Sequence, residues 1–77
     1  MKHSPEALRE CRLKQNAFDR WILIQADDAA LAWSGSRWVL VDEDGLPAGD
    51  AQISNLETRE EAIAYAAQMG IAIRREP

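Results

Sequence analysis

Two apolar segments flank the tripeptide Ser34-Gly35-Ser36, and this arrangement constrains the fold more than any other part of the sequence. Gly35-Ser36 suits a two-residue hairpin connection, because glycine takes the positive φ that such turns require at their first position. Pairing Ala29–Trp33 with Arg37–Asp42 then sets Ser34 opposite Arg37, Trp33 opposite Trp38, Leu31 opposite Leu40 and Ala29 opposite Asp42. Leu31, Trp33, Trp38 and Leu40 share one face. Ala30, Ala32, Val39 and Val41 share the other, so both faces are apolar and a helix is expected over one of them.

The flanking segments extend this unit. Arg20–Gln25 is rich in β-branched and aromatic residues and ends at the turn-forming Asp27-Asp28, which predicts a strand. Thr58-Arg59-Glu60-Glu61 is a capping box, in which the Thr58 hydroxyl accepts from the Glu61 amide and Glu61 reaches back. A helix should start there and end at Gly70, with Ile71 folding back toward Ala66. Ile71–Arg75 is expected to form a last short strand, and Ala51–Leu56 a further optional one. At the N-terminus, Ser4-Pro5-Glu6 reads as a helix start. Leu8, Cys11, Gln15 and Phe18 recur at helical spacing behind it, which predicts a helix over Pro5–Asn16.

The expected architecture is a single α+β domain spanning residues 1–77: an antiparallel sheet of three to five strands with an N-terminal and a C-terminal helix, in the order α-β-β-β-(β)-α-β. A chain of 77 residues can bury one hydrophobic core but not two. Its 47% apolar and 29% charged content is that of a globular protein.

Several functional classes are disfavoured. Charges interrupt every apolar run well short of the roughly 20 residues needed to span a bilayer. The polar N-terminus does not resemble a secretory signal, so a cytoplasmic protein is expected. One cysteine, Cys11, and one histidine, His3, supply neither a disulfide nor a four-ligand zinc site. Asp42, Glu43 and Asp44 precede Gly45 as in a calcium loop, but Leu40 and Ala51 stand where that spacing needs oxygen ligands. No catalytic constellation, cofactor motif or metal set is expected, and Cys11 reads as a buried thiol.

The formal net charge is −4. Asp27, Asp28, Asp42, Glu43, Asp44, Asp50, Glu57, Glu60 and Glu61 outweigh Arg37 and Arg59 in the central part of the chain, whereas the first twenty residues lean basic. This disfavours direct nucleic-acid binding and points to a basic protein partner. The expected binding surface is the tryptophan face of the hairpin with its acidic rim: Trp33, Trp38, Leu31, Leu40, Asp42, Glu43 and Asp44. Tryptophan is enriched among residues that carry interface energy. Homodimerisation through this surface or a sheet edge is the variant.

The segment Arg37–Val41, followed by Thr58-Arg59-Glu60-Glu61-Ala62-Ile63-Ala64-Tyr65-Ala66 and the helix end at Gly70, resembles the C-terminal pattern of the 18-kDa accessory subunits of respiratory complex I. There an aromatic-led strand precedes a capped helix of the form T-x-E-x-A-I-x-Y-A. The resemblance covers less than half of the chain and implies a structural accessory subunit of a larger assembly. In size and acidity the chain is also similar to small inhibitor and adaptor proteins of phages and mobile elements, some of which block nucleic-acid-handling machines.

Overall fold

The computed structural model describes residues 10–74. They form one five-stranded sheet with one helix: β1 (Glu10–Gln15), β2 (Trp21–Gln25), β3 (Asp28–Trp33), β4 (Trp38–Leu40), α1 (Arg59–Met69) and β5 (Ala72–Ile73). In space the strands run β4-β3-β2-β1-β5. Neighbours are antiparallel except β1 and β5, which run parallel.

The expected N-terminal helix is overturned where it can be compared, and with it the α-β-β-β-(β)-α-β order. Glu10–Gln15 is a strand paired residue by residue with β2, from Cys11 opposite Gln25 to Gln15 opposite Trp21; residues 5–9 of the expected helix lie outside the described residues. The period here is two rather than three to four. Cys11 and Leu13 join the core beneath the helix, and the intervening Arg12 and Lys14 belong to the opposite face. Glu, Arg, Leu and Lys favour helices intrinsically, but pairing with the apolar β2 outweighs a propensity of at most about 0.7 kcal/mol per residue.

Phe18 and Asp19 form the turn between β1 and β2 instead of ending a helix. The Asn16 side-chain oxygen accepts from the Phe18 and Arg20 amides at 2.9 and 3.1 Å. Asp19 takes a left-handed φ of 63°, one of the few conformations outside glycine that aspartate tolerates.

The hairpin forms in the expected register, with Trp33 opposite Trp38, Ala32 opposite Val39 and Leu31 opposite Leu40. Gly35 has φ 109°, and the Ser34 amide donates to the Arg37 carbonyl at 2.9 Å. The optional strand at Ala51–Leu56 does not form. Its end makes a single bridge from Leu56 to Trp21, and Ser54 donates its amide to the Trp33 carbonyl at 3.0 Å.

The sheet is covered on both faces. On one, α1 packs Ala62 and Ala66, both fully buried, against Cys11, Leu23 and Ile71. Alanines one turn apart bring the helix close to the strands. Its start is capped as the sequence requires: Glu61 donates its amide to the Thr58 hydroxyl at 3.1 Å, and the Glu61 carboxylate accepts from the Glu57 amide, one residue before Thr58. Gly70 ends the helix at φ 75°, and Ile71 donates to the Ala66 carbonyl at 2.9 Å. On the other face, the long connection from β4 to α1 lays Val41 and Ile53 over Ile22, Ile24 and Ala32. No described polar or charged residue is buried.

Candidate functional site

The β3–β4 hairpin places the expected interface residues on two faces of the sheet rather than one. Residues 33 and 38 lie one step beyond the Ser34–Arg37 hydrogen-bonded pair, at a position where antiparallel strands approach most closely. Their indoles meet edge to face, with centroids 5.1 Å apart and an interplanar angle of 66°. Both rings are half-buried and pack against the core under α1, together with Trp21 and Tyr65. The Trp33 ring N–H is buried and makes no hydrogen bond.

Leu31 and Leu40 follow on the same face, further from the turn. Leu31 is half-buried, and Leu40 is 64% exposed. An exposed leucine on a strand is unremarkable alone. Here it continues the face that carries the two partly exposed indoles.

Asp42, Glu43 and Asp44 are exposed, and Asp42 and Glu43 line a pocket on the opposite face with Lys14, Ala30 and Val41. The Asp42 carboxylate accepts from the Asp44 and Leu46 amides at 2.9 and 3.0 Å, so it shapes its own loop. Lys14 donates to the Glu43 carbonyl at 3.0 Å, and Ala17 donates to that of Asp44 at 2.9 Å. Gly45 fits closely over Asn16 and Ile22. The acidic loop and the tryptophans therefore adjoin only at the end of β4, where Leu40 precedes Asp42 by two residues. Just beyond, Pro47 is bridged to Val41. A proline, which has no N–H, disfavours strand addition at that edge.

No group of His, Cys, Asp and Glu suited to a metal ion occurs among the described residues. The Cys11 thiol is fully buried, and burial, followed by the charge of Glu10, pushes it up to about 11. A thiol held protonated in this way is a poor nucleophile. His3 lies outside the described residues.

Two features escaped the sequence reading. Phe18, expected on a helix face, is 70% exposed at the β1–β2 turn. Arg12, Arg59 and Arg74, distant in sequence, converge beside Trp21. The sequence signal for the first was Asn16-Ala17-Phe18-Asp19, whose Asn and Asp mark a turn; the second has no local signal.

Compared with known protein families, with curated proteins and with solved structures, the chain matches none of them. No helix among the described residues is long and apolar enough to cross a membrane.

Proposed function

We propose that the chain is a non-enzymatic protein-binding module of the inhibitor or adaptor kind, acting in the cytoplasm on a larger, basic protein such as one that handles nucleic acid. The docking surface is the face of the β3–β4 hairpin that carries Leu31, Trp38 and Leu40, with Glu43 and Asp44 of the following loop supplying an acidic rim at its end. The observation that carries this reading is the 64% exposure of Leu40, on the face that carries the two partly exposed indoles and two residues from the acidic loop. Apolar anchors with a charged rim are the usual anatomy of a protein interface, and the rim's sign selects a basic partner. Pro47 beside β4 favours recognition through side chains over strand addition.

Cross-linking in the source cells, with partners identified by mass spectrometry, would be compared for the wild type, Leu40→Arg and the charge reversal Glu43→Lys/Asp44→Lys. Asp42 is left intact because its carboxylate shapes the loop. The reading requires a basic partner whose capture falls in both variants and weakens with salt. Indifference to both substitutions would refute it. Stable co-purification with a membrane complex would favour the accessory-subunit role instead, and concentration-dependent light scattering would reveal the homodimer.

A further inference from the structure

At the edge of the sheet opposite β4, Arg12, Arg59 and Arg74 line one pocket of about 290 Å3 with Leu13, Trp21 and Ile73. Arg12 belongs to β1, Arg59 is the first residue of α1 and Arg74 follows β5. None of these lining residues is acidic, although the chain as a whole carries a formal net charge of −4.

Arg59 runs against local preference. The positive end of a helix dipole favours acids, and Glu60 and Glu61 follow that rule in the same turn. A cation at the first helical position opposes the dipole, and exposed Arg59 adds nothing to the buried core. Departures from local rules tend to collect at functional sites. Arg74 is oriented in turn: Glu10 and Asp27 accept from its two terminal nitrogens at 2.7 and 2.9 Å. These two carboxylates more than offset the single charge of Arg74 and fix the plane of its guanidinium, so the cation that the pocket offers is chiefly Arg59.

We propose that this pocket binds a small organic anion: a phosphate or carboxylate head on a flat apolar body. The head pairs with Arg59, because a guanidinium matches both oxyanions with two parallel hydrogen bonds. The body lies on the apolar wall of Leu13, Trp21 and Ile73. Two observations limit the ligand to a small one. The volume stands near the lower end of the roughly 300–1,000 Å3 usual for ligand pockets. The acids elsewhere on the chain repel an extended polyanion such as nucleic acid.

The test is titration of the whole chain with phenyl phosphate and with benzoate, followed by amide and indole NMR signals; phenol and inorganic phosphate serve as controls. One or both organic anions should bind saturably, shifting Trp21, Leu13 and Arg59, and the tighter of the two identifies the head group. Arg59→Glu, which suits the helix dipole and leaves the fold intact, should weaken binding by about tenfold or more, as expected for a lost charge-assisted contact. Arg59→Lys should fall between. The proposal is overturned if neither organic anion shifts these signals, if Arg59→Glu binds like the wild type, or if phenol binds as well as the anions. Equal binding of inorganic and phenyl phosphate would overturn the apolar half of the site and leave an anion patch only.

Discussion

The indole of Trp33 meets that of Trp38 edge to face, with ring centroids 5.1 Å apart, across a pair of strands whose register follows from a two-residue turn. Aromatic pairs in this geometry contribute about 0.5–1.5 kcal/mol beyond the area they bury. A double-mutant cycle of Trp33→Leu and Trp38→Leu should therefore return a coupling of that order. Additivity within error in chemical denaturation would show that the two rings are neighbours without being partners. Trp33→Phe should be milder than its loss of area suggests, because it also removes a buried N–H that makes no hydrogen bond.

Gly45 provides a second check, on how the acidic loop seats. Its φ is 75°, and a Cβ there would lie 2.9 Å from Asn16 Cβ and 3.0 Å from Ile22 Cδ1. Gly45→Ala should cost about 2 kcal/mol or more, since left-handed strain and overpacking add. Gly49, with φ 59° and no atom within 4 Å of an added Cβ, is the control. Gly49→Ala bears the strain alone, about 1–2 kcal/mol. Equal melting-temperature losses for the two variants would mean that the loop does not rest on Asn16 and Ile22.

The parts of the fold that could be read from sequence are those specified by neighbouring residues. Ser34-Gly35-Ser36 determined a turn and hence a register; Thr58 and Glu61 determined a helix start, and Gly70 its end. Glu10–Gln15 was misread because its character is decided at a distance. Arg12 and Lys14 have stems long enough to lie along one face while Cys11 and Leu13 enter the other, and only the presence of β2 and β5 on either side makes that alternation favourable. The expected interface was half legible for a similar reason. The hairpin grouped Leu31, Trp33, Trp38 and Leu40, but the direction in which Asp42, Glu43 and Asp44 turn is fixed by Lys14, Ala17 and the fit of Gly45 over Ile22. All of those contacts cross from other segments.

Cys11 predicts a pH dependence. Its thiol is pushed up to about 11 from an ordinary 9.0, chiefly by burial and then by Glu10. The folded state thus disfavours the thiolate. The associated stability is complete below about pH 9 and is lost as the pH rises through the interval to about 11. Urea melts of the wild type and Cys11→Ala should differ by a constant amount up to about pH 9 and converge above it. Reaction with a thiol reagent at neutral pH should be slow in the native protein and prompt in urea. Rapid native labelling would show that the thiol is not enclosed between Leu23 and the helix alanines.

Leu40 separates binding from folding. At 64% exposure it contributes little buried area, so Leu40→Arg should change stability by no more than about 0.5 kcal/mol, the usual range for surface positions. Leu23, fully buried beneath α1, is the contrast: Leu23→Ala should cost about 2–5 kcal/mol. If the hairpin end is a docking surface, Leu40→Arg lowers partner capture while its denaturation midpoint stays at the wild-type value. A midpoint that falls together with capture would assign Leu40 to the fold instead, since in that case a destabilised hairpin would explain the lost binding without any contact at residue 40.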